Sequence, residues 1–263
     1  MVKSAPNTAP AWTNDYIPAL TKEIINGQHI LHVSFLTKDS EYPTVCYLVG
    51  KILKYKSNPE VLYVHGHVQE PVLGLLKGLE KGEPDLSVSI AASMIHSHYL
   101  GFSGFATGFA FADTVINGTA SLIGVSKETH DERTWLMQEI VNSQAKDRWN
   151  HLRPIGTDVD YVTLIKITPN VQKSHTHSML KVLGLEVQND VENKELCKKY
   201  WEGAIPVWGK LGQPISGKNN LPEGKRRIPP RYITDFIESE NARNEAFAKQ
   251  AASAEYPWDY PRH

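Results

Sequence analysis

Cysteine is nearly absent from this 263-residue chain: Cys46 and Cys197 are the only two. Two scattered thiols exclude a disulfide framework and a cysteine-rich zinc site. A charge excess is missing too. Lys and Arg number 28 against 29 Asp and Glu, so the net charge is −1. Nucleic-acid binders carry a basic surplus that displaces counterions, so this balance argues against one. Long apolar runs are also lacking. The longest uncharged stretch, Leu86 to Ala112, holds three Gly, six Ser or Thr and two His, a composition unsuited to a membrane span. The opening MVKSAPNTAPAW has no apolar core of a signal peptide. The expectation is a soluble, cytoplasmic protein with no nucleic-acid or membrane partner. GxGxxG, GxxxxGK[ST] and GxSxG are absent as well, which removes the strongest sequence marks of dinucleotide folds, phosphate-loop NTPases and serine hydrolases.

What is present reads mainly as strands. HILHVSFL (29–36) and TVCYLVG (44–50) flank a turn-prone segment, as in a hairpin. VLYVHGH (61–67), LSVSIAASMI (86–95), TVINGTASLIGV (114–125) and VDYVTLIKITP (159–169) follow, and a shorter strand is expected around Met179 to Leu183. Helices are expected from Asp15 to a left-handed Gly27, over Pro71–Leu79, from a Ser126 cap to about Trp149, and over about Pro230–Ala254. The last is read as an amphipathic helix packing on its own domain. Six strands with few helices between them argue for an antiparallel barrel, a mainly β fold with peripheral helices (α+β). Residues 1–14 read as a flexible arm, 15–215 as one domain and 216–263 as an extension bearing a helix.

Two local patterns suggest chemistry. Three His-x-His pairs occur, at His65/His67, His96/His98 and His175/His177, where composition alone gives about half a pair. On a strand each pair would share one face. No nearby carboxylate completes a metal motif, so no metal site is assigned. The Gly/Phe tract HSHYLGFSGFATGFAFA (96–112) is the second. Tyr99, Phe102, Phe105, Phe109 and Phe111 are read either as the wall of an apolar pocket or as the core of a dimer seam. Both readings require burial. Cys46 and Tyr47 should face opposite sides of a strand, with Cys46 structural.

In order along the chain, HVSFLTKDSEYPTVCYLVG, LYVHGH, VINGTASLIG, the helix around TWLMQEIV and the tail KVLGLEVQNDVENKELCKKYWEGAIPVWGKLGQPI resemble the FMN-binding split-barrel family. More narrowly, they resemble its flavin-nucleotide-binding branch related to pyridoxamine 5′-phosphate oxidase. The match spans about residues 16 to 215 and continues weakly through IPPRYITDFI. The resemblance implies a six-stranded antiparallel Greek-key split barrel, a homodimer and a flavin at the subunit seam. It implies flavin contacts at Thr44 to Tyr47, His65, Gly66, His67, Phe111 to Thr114 and Lys181. It also exposes a departure. Ala112 stands at the family's usual Arg, Asp113 at its Ser, and Leu183 at another Arg. Each lost charge-assisted bond to a phosphate is worth about 1.5–3 kcal/mol. Lys77 and Lys81 are the candidate replacements.

Three functions follow from this reading. One is an FMN-dependent oxidoreductase on a small apolar metabolite. The second is a flavin-free cyclase or isomerase using the vacated pocket of Phe102, Phe105 and Phe109, with His98, Tyr99, His175 or His177 as acid or base. The third is a non-enzymatic flavin or haem carrier.

Overall fold

The computed structural model describes residues 15–36, 41–66, 86–179, 188–217 and 228–254. Eight strands form one antiparallel sheet: β1 (Leu31–Phe35), β2 (Thr44–Leu53), β3 (Val61–His65), β4 (Leu86–Leu100), β5 (Thr107–Leu122), β6 (Leu164–Pro169), β7 (His175–Met179) and β8 (Gly203–Pro206). The order is β7-β5-β6-β3-β2-β1-β4-β8, and β5 also pairs with β4. That extra pairing closes a ring through six strands. β4 and β5 are much longer than their neighbours, at 15 and 16 residues. They overrun the ring, and their overhanging halves carry β8 and β7 at the two edges.

Alternation decides what enters the ring. In β1, Leu31, Val33 and Phe35 are buried while His32 is exposed. Cys46 and Leu48 of β2, Val88 and Ile90 of β4, and Ala112, Ile116 and Ala120 of β5 join the same cluster. Ile24 and Ile25 of helix α1 (Pro18–Gly27) complete it. β3 is buried on both faces. Leu62 and Val64 point into the ring, and Val61 and Tyr63 lie in a second cluster with Leu136 and Ile140 of helix α2 (His130–Gln144). That is why VLYV reads as an unbroken apolar run.

Two short helices follow, α3 (Gln188–Glu192) and α4 (Lys194–Lys199). The last, α5 (Arg231–Ser253), packs against β4 and β8. Ala248, Ala251 and Ala252 are buried, Phe247 sits 5.4 Å from the His96 ring, and Tyr232 stacks on His151 at 3.9 Å. No helix among the described residues is long and apolar enough to cross a membrane.

Several boundaries differ from the sequence expectation. Gly27 remains helical, and the cap is an extended Gln28. α2 begins at His130, because Ser126 and Thr129 first close a turn through reciprocal side-chain bonds to each other's backbone N–H. It stops at Gln144, ahead of Asp147 with φ of 59°. The segment Gly156–Tyr161 is a 3-10 turn, so β6 starts only at Leu164. β7 begins at His175 rather than near Met179. β8 was not anticipated. The arm 1–14, the helix expected at Pro71–Leu79 with Lys77, and Lys81, His67, Lys181 and Leu183 lie outside the described residues.

Candidate functional site

The outward side of β2, β1, β4, β5 and β7 is the surface that brings together Tyr47, His98, Phe109, Phe111, His175 and His177 of the expected site residues. Register builds it in rows. Tyr47, His32, Ala91, Val115 and His175 form one row across the five strands. Ser93, Asp113 and His177 form the next, then Ile95, Phe111 and Met179. Past a bulge at His96, His98 pairs with Phe109 and, on its other side, with Ile205. Aromatic contacts knit the rows. The His32 and Tyr47 rings meet edge to face at 5.2 Å, His98 and Phe109 do so at 4.9 Å, and Phe111 lies 5.3 Å from His177. A shallow groove of about 220 Å³ runs along this face between His32, Ala91, Ser93, Asp113 and Val115.

The face carries imidazoles and almost no Lys or Arg. Within its five strands, Lys51 is the sole Lys or Arg, and its ammonium already donates to the carbonyls of Asn26 at 2.5 Å and Gln28 at 3.2 Å. Asp113 does not stand alone as a bare negative charge. Its carboxylate lies 3.2 Å from His177 Nδ1. Among the described residues no group of three His, Cys, Asp or Glu is placed to hold a metal.

Strand alternation removes several expected members. Thr114 points inward and is fully buried, with its hydroxyl donating to the His175 carbonyl at 3.0 Å. Thr44 shares the inward side with Cys46, so only Val45 and Tyr47 of that stretch face out. Tyr99 turns to the opposite side from His98, against Gly108, where burial raises its hydroxyl pKa. His96 is buried by the bulge while His98 is exposed, so this pair does not share a face. Burial pushes the His96 pKa down to about 4. His65 ends β3 with Nδ1 3.3 Å from the Thr163 carbonyl, and Gly66 follows with no room for a Cβ beside Leu48. Cys46 is buried as expected, and burial raises its thiol pKa.

Ala112 also points inward. It is fully buried in the ring, while Phe111 and Asp113 face outward. A residue at 112 cannot reach a ligand on the outer face, so the loss of an Arg there says little about a phosphate. The Gly/Phe tract is buried only in part within the single chain, which tests the pocket-wall reading and not the dimer seam. Its centre, 101–106, is the turn joining β4 to β5, where Ala106 is buried but Phe105 is 76% exposed, and Phe109 of β5 is 52% exposed. Among the described residues no second layer covers the tip of this hairpin. Neither Phe102, Phe105 nor Phe109 lines the 220 Å³ groove or a larger open one of about 750 Å³ at the foot of the same strands.

His32, Ile95 and Met179 were not expected as site residues, whereas Asp113 fell inside the expected segment Phe111 to Thr114. Outward alternation in FAFADTV was the available signal for Asp113.

No family model matches the chain, and no curated protein matches it. Solved structures do. The flavocytochrome Anf3 from Azotobacter vinelandii superposes with a TM-score of 0.61 at 17% identity, over 84% of this chain and 90% of that one. The FAD and heme binding protein from Mycobacterium smegmatis superposes with a TM-score of 0.63 at 12% identity, over 85% of this chain and 96% of that one. The likeness is one of fold, and it agrees with the resemblance to the FMN-binding split-barrel family.

Proposed function

We propose that this chain is a flavin-binding redox protein acting on a small, largely apolar molecule, and that two copies pair across the outer face. The six-strand ring is then a Greek-key split barrel. The observation that carries the reading is the fold shared, over more than four-fifths of the chain, with two proteins described as a flavocytochrome and as binding FAD and haem.

The face suits the flat part of a flavin. Tyr47, Phe109 and Phe111 offer aromatic surface, and Ile95, Val115 and Met179 offer aliphatic surface beside it. A bound flavin would supply the electron chemistry. The protein's own share would be to stack the ring, orient the substrate and exclude water. Among the described residues the five strands of this face offer no unengaged Lys or Arg for a phosphate, so the imidazoles of His32, His98 and His175 and the hydroxyls of Tyr47 and Ser93 would be the donors there. Pairing of two copies would cover Ile95, Phe105, Phe109 and Ile205, each about half exposed or more in the single chain.

Titration of FMN and FAD into the flavin-free protein, followed by quenching of flavin fluorescence, tests the reading. Saturable quenching is expected, with binding about two- to tenfold weaker in Tyr47→Ala or Phe111→Ala, since an aromatic pair is worth about 0.5–1.5 kcal/mol. Absence of quenching by both flavins overturns it.

Haem carriage is a second reading, supported by three outward imidazoles, His98, His175 and His177, beside Phe109 and Phe111. A Soret band would mark it. Flavin-free cyclisation has less support, because the phenylalanines it would use stand open in the single chain.

A further inference from the structure

We propose that the open groove of about 750 Å³ at the foot of the sheet binds a phosphorylated polyol, with its phosphate on Lys173 and its hydroxyl chain along an outward ladder of Ser and Thr. Two sources share that chemistry: a free sugar phosphate, or the ribityl phosphate tail of a flavin seated higher on the same face. Only the second source rests on the flavin reading above.

The ladder follows from alternation and register. Val33, Val88, Ile90, Ile116, Ala120 and Ile167 point into the ring, so the residues between them on β1, β4, β5 and β6 point out. Ser34 is the partner of Ser89, and Ser89 of Asn117. One row further, Ser87 is the partner of Thr119, and Thr119 of Thr168. These residues all line the groove. Their rows continue the row of His32, Ala91 and Val115, which lines the 220 Å³ groove. The two grooves therefore adjoin on one face, with successive rows about 7 Å apart. A ligand whose ring covers the upper row has its tail over the hydroxyls.

The turn after β6 supplies the cation that the strands lack. Lys173 lines the groove, and among the described residues its lining holds no other Lys or Arg and no Asp or Glu. No described group engages the Lys173 ammonium or the hydroxyls of Ser34, Ser87, Thr119 and Thr168. A single uncompensated cation beside a row of hydroxyls selects a phosphate that carries hydroxyls of its own.

Asn117 fixes the position of that turn. Its carboxamide accepts from Ser89 Oγ and donates to the Lys173 carbonyl at 2.6 Å. Its backbone carbonyl accepts from the Asn170 N–H at 2.7 Å, and its own N–H donates to Ser174 Oγ at 3.0 Å. The buried Ser174 hydroxyl in turn lies 2.7 Å from the Asn170 carbonyl, to which it donates. These bonds clamp the 3-10 turn Val171–Lys173 to β5, so Lys173 is held beside the ladder before a ligand arrives.

The probe is ribitol 5-phosphate, added to the flavin-free protein and followed by broadening of its phosphorus NMR signal. Saturable broadening is expected, weakening as salt is raised. Lys173→Gln, at an exposed position, should keep the fold by circular dichroism and weaken binding at least tenfold. Thr119→Val should weaken ribitol 5-phosphate about threefold and leave inorganic phosphate unchanged. Absence of saturable broadening, unchanged binding in Lys173→Gln, or inorganic phosphate bound as tightly as ribitol 5-phosphate overturns the inference. FMN and riboflavin separate the two sources. With the flavin tail in the groove, FMN binds at least tenfold more tightly than riboflavin, and Lys173→Gln abolishes the difference. A difference that survives Lys173→Gln, or ribitol 5-phosphate binding without flavin binding, assigns the groove to a free sugar phosphate. Absence of binding by FMN and FAD sinks the flavin reading alone.

Discussion

At Ala112 the distinction between inward and outward positions carries a measurable consequence. Because the residue is sealed in the ring, Ala112→Arg should not create a phosphate site. It should instead bury an uncompensated charge and cost about 3 kcal/mol or more, read as a drop in the denaturant midpoint. His96 gives a second test. Its pKa is depressed from 6.5 to about 4 by burial against α5. The unfolded chain therefore binds a proton that the folded chain refuses. The stabilising contribution is complete above about pH 6.5 and is lost as pH falls toward 4. Unfolding free energy should fall by about 3 kcal/mol over that window from this group alone. Denaturant titrations at several pH values should show a flatter acid dependence in His96→Leu.

At the scale of elements, α2 is held by one buried cation. Arg133, 2% exposed, donates to the carbonyls of Ile123, Val159 and Val162, joining the helix to the end of β5 and to the Gly156–Tyr161 turn. Arg133→Met should remove the guanidinium from all three carbonyls, of which Val159 keeps the Val162 N–H at 3.4 Å, and cost about 3 kcal/mol or more, with loosening near Trp135 visible in tryptophan fluorescence. The same scale shows what the sequence carried. LHVSF and VLYV announce β1 and β3 because alternation or unbroken burial is local. GAIP gives no such signal for β8, an edge strand of four residues that exists through pairing with Ser97–Leu100, over a hundred residues earlier. The bulge at His96 is equally silent, since one extra residue in a strand leaves no mark on composition. In the site, Tyr47, His98, Phe111 and His177 were legible as outward strand residues or aromatic neighbours. The Asp113–His177 contact was not, because it depends on the β5–β7 register, 64 residues apart.

For the whole molecule, the neutral net charge conceals a one-sided distribution. The outer face is apolar, rich in imidazole and nearly free of Lys and Arg, whereas exposed ion pairs such as Lys22–Glu60, Arg153–Asp158 and Lys249–Glu245 lie away from it. Such a face suits a partner copy and a flat ligand between them. Sedimentation should give a dimer, and Ile95→Glu or Phe109→Glu should shift it to monomer without loss of secondary structure. The most direct measurement is the absorbance spectrum of the protein as purified and after addition of excess flavin and gel filtration. Flavin bands that travel with the protein are the expected result. A colourless protein that elutes free of added FMN and FAD would contradict the account.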